Sequence, residues 1–112
     1  MKRINNRIKT ALLLLLASLS FVAHAQTLYW VGGNGSWNSA ENWSATASGV
    51  GGAGIPRVQN DVVIAPHAPV SVTIDGDVWC ENLRVDGSHA RVFIEGGSAS
   101  SINLAGEWVM RG

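Results

Sequence analysis

The residues of this chain that could do chemistry are few, and most of them stand beside a glycine. Asp75-Gly76-Asp77 would place two carboxylates at one turn, with Glu81 or Asp86 close enough in sequence to add a third. Calcium takes about six to eight oxygen ligands. The EF-hand spacing is absent, so the triplet reads as an ordinary Asp-Gly turn. His67 and His89 lie in polar stretches with no second histidine or cysteine at zinc-ligand spacing. Cys80 is the single cysteine and follows Trp79 in a strand-like segment. It reads as a small buried hydrophobe, with an intermolecular disulfide or a reactive thiol as the sharper alternative. Gly49-x-Gly51-x-x-Gly54 matches the letters of a dinucleotide fingerprint. That mechanism needs a strand before the glycines and a helix N-terminus after them, whereas Ile55-Pro56 follows here. Glycoside hydrolysis needs two carboxylates flanking the sugar. Asp75, Asp77, Asp86 and Glu95 are available, but each sits next to glycine, where solvated acids are expected. We therefore expect no catalytic residue, no metal site and no cofactor.

Three tryptophans are the remaining candidates for ligand binding. Trp30-Val31-Gly32-Gly33-Asn34-Gly35-Ser36-Trp37 is closed by Asn42-Trp43, which gathers three indoles and three glycines into one short block. Exposed, coplanar rings at Trp30, Trp37 and Trp43 would stack on sugar faces. The competing reading is a plug that shields an apolar interior, with Gly32, Gly33 and Gly35 letting backbone pass close beneath the rings. The glycines favour the plug.

These residues must be carried by something, and the first question is address. Residues 1–10 hold Lys2, Arg3, Arg7 and Lys9 without an acid, residues 11–23 are apolar, and Ala23-His24-Ala25 precedes Gln26. A charged start, a short apolar core and a small-residue site make a secretory signal peptide cleaved between Ala25 and Gln26. The apolar run falls short of the roughly 20 residues that span a bilayer. The expected location is therefore secreted or cell-surface, with no membrane span in the mature chain. After residue 25, four arginines face eight acids, a net charge of −4. That balance argues against nucleic acid and anionic membranes as partners.

The mature chain divides into a Trp/Gly-rich cap and loop over 26–60 and a run of short β-type segments over 61–112. Val62–Ile64, Val70–Ile74, Leu83–Val85, Val92–Ile94, Ile102–Leu104 and Trp108–Met110 are each bounded by turn residues. No stretch sustains a helical period. Val72-Thr73-Ile74-Asp75-Gly76 matches Val92-Phe93-Ile94-Glu95-Gly96 at an offset of 20, and Asn82-Leu83 matches Asn103-Leu104 at 21. A period near 20 built from strand-turn units predicts an all-β fold that begins a parallel β-helix, or solenoid. An antiparallel sandwich is the alternative, since its strands recur every ~8–12 residues.

The pattern W-x-G-G-x-G-x-W-x(5)-W, then the glycine-rich loop, Ile55-Pro56, Asn60–Ile64 and Val72-Thr73-Ile74, resembles the opening of large exported bacterial surface proteins. These are autotransporter-like adhesins and the secreted surface proteins of gliding bacteria. The resemblance implies a Trp/Gly cap followed by a right-handed parallel β-helix. It also implies a structural or adhesive role at the cell surface, with a polysaccharide or host surface ligand as partner. Members of that family usually continue for hundreds of residues, whereas this pattern is still running at Gly112. A chain this small buries only about 60–65% of its unfolded surface, and an unpaired edge at 102–110 would be a template for self-association. The expected function is an exported, adhesin-like structural segment that is not an enzyme. The alternatives are a small carbohydrate-binding module or the leading fragment of a polysaccharide-degrading β-helix enzyme. Tryptophan exposure separates the first two readings.

Overall fold

The computed structural model describes residues 26–112; the expected signal peptide, residues 1–25, lies outside the described residues. Burial alternates along the inner strands, because successive side chains on an extended chain point to opposite faces. Asp61–Ile64 buries Val62 and Ile64, Val70–Ile74 buries every second residue, and Leu83–Asp86 buries Leu83 and Val85. The described chain is all-β. Its strands are β1 (Thr27–Trp30), β2 (Gly35–Ser36), β3 (Trp43–Ser44), β4 (Asp61–Ile64), β5 (Val70–Ile74), β6 (Asp77–Cys80), β7 (Leu83–Asp86), β8 (Val92–Gly96), β9 (Ser101–Leu104) and β10 (Trp108–Arg111). A single 3-10 turn, Ala40–Asn42, precedes β3.

Three sheets form, in the orders β10-β7-β4-β1-β3, β2-β5-β8 and β6-β9. Among the described strands only β1 with β3 is antiparallel; the other pairs are parallel. Parallel pairs cannot be joined by tight hairpins, and from β4 onward each partner follows after a detour through the other two sheets. Val62 pairs with Leu83, and Leu83 in turn with Trp108. Val70 pairs with Val92, and Asp77 with Ser101. The repeat seen in sequence is therefore shifted. Val72 lies beside Ile94 rather than Val92, and Leu83 beside Trp108 rather than Leu104. The shift in the first case, from Val92 to Ile94, keeps each side chain on its own face, since the strand period is two.

One core joins the sheets: Leu28, Trp30, Trp37 and Trp43 at the cap end, then Val62, Ile64, Val70, Val72, Ile74, Val78, Cys80, Leu83 and Val85. Asparagine fixes one corner of the stack. Asn82 Nδ2 donates to Asp61 Oδ1 at 2.8 Å, and the Glu107 backbone N–H donates to Asn82 Oδ1 at 2.8 Å. The side chain thus ties the start of β7 to the starts of β4 and β10. Asn82→Ala should cost about 1–2 kcal/mol, because the Glu107 amide loses its acceptor. Faster hydrogen exchange at Glu107 and along β10 is the expected result, and unchanged exchange would deny Asn82 that role.

Candidate functional site

The cap is built around Trp43. Its indole N–H donates to the Trp37 carbonyl at 2.7 Å, and its ring meets Trp37 and Trp30 edge-on, with centroids at 5.0 and 5.1 Å. Trp37 and Trp43 are fully buried and Trp30 is 6% exposed. A stacking platform needs an open ring face, and these three rings do not provide one. The glycines around them serve a different neighbour from the one expected. A Cβ on Gly32 would overlap the Asn42 side chain, and one on Gly35 would come within 2.8 Å of Asn42 Nδ2. They make room for Asn42, which donates to the Ser36 carbonyl at 2.9 Å and pulls the 3-10 turn onto β2. The Trp37 indole N–H has no hydrogen-bond partner among the described residues.

The opposite end is open. Val92 and Ile94 on β8, Ile102 and Leu104 on β9, and Trp108 and Met110 on β10 continue the rows that bury Val70, Val72, Val78, Cys80, Leu83 and Val85. They share the inward direction, and no other described strand pairs beyond theirs. Trp108 is 58% and Met110 60% exposed, and with their neighbours they line an apolar hollow of about 430 Å³. β8, β9 and β10 are each the edge of a sheet.

A groove of about 600 Å³ with a mixed lining runs along one side, where Tyr29, Ser48, His67, Asp86 and His89 stand among alanines and valines. The two imidazoles stack with centroids 5.0 Å apart and planes 27° from parallel. Reading motif by motif did not bring them together. The signal was their spacing in sequence, which equals that of Val70 and Val92, partners across β5 and β8. Asp86 accepts from the Ser88 hydroxyl and backbone N–H, which holds its carboxyl below the usual range. Asp75 accepts from the Ser36 hydroxyl at 2.9 Å and Asp77 from Ser101 at 2.7 Å, with Gly76 between them at φ 86°. Among the described residues, no three His, Cys, Asp or Glu side chains gather where they could hold a metal ion.

Cys80 is fully buried on β6. Burial, with the Asp61 carboxylate adding to it, pushes its thiol up to about 11. Thiolate is the reactive form, so a reagent such as iodoacetamide at pH 8 should modify Cys80 only as the chain unfolds. The linkage has a definite sign. Below its ordinary value of 9.0 the thiol is neutral in both states, and above it the unfolded chain ionises first. Stability should therefore fall between about pH 9 and 11, and Cys80→Ala should flatten that part of the curve.

No protein-family model, no curated protein and no solved structure matches this chain.

Proposed function

We propose that this chain is the capped leading end of an exported parallel β-solenoid, a surface segment that works by display and adhesion rather than by catalysis. The observation that carries this reading is the difference between its two ends. Three packed indoles close one end, while at the other six inward-directed apolar side chains line a hollow, four of them partly buried and Trp108 and Met110 exposed. Solenoid repeats bury a continuous core only by stacking, so terminal repeats need a distinct closing structure and the advancing face must receive another layer. The succession of parallel ladders, each strand paired with one that follows only after the other sheets have been visited, supports the reading further. So do the expected export signal and the acidic balance after it.

The test is location. An antibody against residues 26–112 should label intact cells of the source organism, and the exported product should begin at Gln26. A product that stays inside the cell with residues 1–25 attached would overturn the proposal. The open end carries its own prediction. Produced alone, residues 26–112 should associate through the β8, β9 and β10 edges, because exposed sheet edges and apolar patches recruit partners. Trp108→Asp combined with Met110→Asp should return sedimentation to the monomer. Association that survives both substitutions would place the contact elsewhere.

A further inference from the structure

Trp79 is the exposed tryptophan of this chain that points away from the core. It stands on β6 between buried Val78 and Cys80, and 47% of it is open. Trp108 is also exposed, but it occupies an inward row. The residue beside Trp79 on the neighbouring strand is Asn103, and Asp77 lies beside Ser101 in the same register. Strands run ~4.8 Å apart and every second residue on one face is ~6.6 Å on. Trp79, Asn103, Asp77 and Ser101 therefore make one outward patch about the size of a single pyranose ring.

The patch is held in place. The Ser101 hydroxyl donates to Asp77 Oδ1 at 2.7 Å. Asn103 Nδ2 donates to Ser101 Oγ at 3.0 Å and to the Val78 carbonyl at 3.1 Å. This chain of bonds fixes the carboxylate and amide before any ligand arrives, so little ordering remains to be done on binding. It also leaves capacity over. Among the described residues, Asp77 Oδ2, Asn103 Oδ1 and the Trp79 indole N–H take part in no protein hydrogen bond. Two acceptors and one donor thus accompany a half-exposed tryptophan.

From this we infer that the β6–β9 face is a saccharide-binding site, with Trp79 stacking on a sugar ring while Asp77 and Asn103 accept from its hydroxyls. The apolar C–H face of a pyranose covers an indole, and its equatorial hydroxyls reach the polar groups beside the ring. Charge selects the class. Asp77 stands in the patch and acids outnumber arginines two to one after residue 25, so a uronic-acid polymer is repelled and a neutral glycan is accepted. Shape selects the mode. Trp79 lines none of the grooves described above, so the ligand lies along a flat face rather than entering a pocket. The inference does not depend on the solenoid continuing, and it moves sugar recognition from the buried Trp30, Trp37 and Trp43 to a half-exposed residue.

Affinity electrophoresis of residues 26–112 through gels containing barley β-glucan, galactomannan or polygalacturonate tests this directly. Retardation by at least one neutral polymer is expected, with none by polygalacturonate. Trp79→Ala should weaken that retardation at least tenfold, Asn103→Ala several-fold, and Trp79→Phe should keep part of it because a ring face remains. Circular dichroism should be the same for all three variants, as the side chains point outward. No retardation by either neutral polymer would overturn the inference. So would binding that Trp79→Ala leaves intact, or binding to polygalacturonate alone. If Trp79→Ala alters the fold, the decision passes to Asn103→Ala and Trp79→Phe, and unchanged retardation in Asn103→Ala then counts against the site.

Discussion

Replacing Trp43 with alanine should destabilise the fold by about 3–5 kcal/mol, the usual cost of emptying a fully buried aromatic site. The ring contacts Trp30 and Trp37 edge-on, and its N–H satisfies the Trp37 carbonyl. Alanine removes the area and both ring contacts, and leaves a buried carbonyl without a donor. Stability for a domain is only about 5–15 kcal/mol and smaller chains sit at the low end. Most of the molecules should therefore unfold at moderate urea where the parent stays folded. Phenylalanine separates the contributions. Trp43→Phe loses the hydrogen bond and part of the area. Trp37→Phe loses area but also removes a buried N–H with no partner among the described residues, which offsets part of the cost. The expected order of destabilisation is Trp43→Ala, then Trp43→Phe, then Trp37→Phe, read from urea midpoints at constant slope. If Trp37→Phe proves the worse of the two phenylalanine variants, its indole N–H has a partner in solution.

The ranking also bears on what could be read from letters alone. Short apolar, β-branched runs bounded by turn residues placed six of the strands. Leu83 and Val85, on either side of Arg84, declare their face without help, whereas Val62-Val63-Ile64 does not. β6 was harder. Asp77–Cys80 holds a single β-branched residue and follows β5 after only Asp75-Gly76, so only its Trp79-Cys80 end read as strand-like. Register was the least legible feature. It is set at the corners, where side chains bond across from one layer to the next. Asn82 joins Asp61 to Glu107, and Asn34 Oδ1 accepts from the Ser71 backbone N–H at 2.8 Å. Such bonds depend on loop lengths that differ from one turn to the next, so segment matching misplaced the partners of Val72 and Leu83. The functional candidates followed the same division. That tryptophan matters at the cap was visible in composition, but whether a ring faces inward or outward is a register question. Trp79 and Asn103 stand far apart in the chain and become neighbours only once β6 and β9 are paired.

Gly51→Ala is the second substitution with a large expected effect, and it turns on backbone rather than on a side chain. A Cβ on Gly51 would overlap the carbonyl oxygen of Glu41, in the 3-10 turn that leads into Trp43. A flexible neighbour could swing aside, but a main-chain carbonyl cannot. Nor can the loop easily retreat. The Gly52 N–H donates to the Ala40 carbonyl at 3.1 Å and the Ala53 N–H to the Trp43 carbonyl at 3.0 Å. Relieving the overlap means giving up these bonds or displacing the turn, and with it the cap. Combining strain with one or two lost bonds gives about 3 kcal/mol. Gly97→Ala is the matched control. Nothing lies within 4 Å of its Cβ position, so its cost should stay within about 0.5 kcal/mol. Thermal unfolding of the two variants decides the matter, and similar midpoints would mean that the loop is looser than its bonds imply. The glycines that spell a dinucleotide fingerprint are thus occupied otherwise. Gly49 passes close beside the Thr46 and Ser44 side chains, Gly51 admits the turn, and Gly54 takes a φ of 110°. Of the three, Gly51 is the one held against the turn that leads into Trp43.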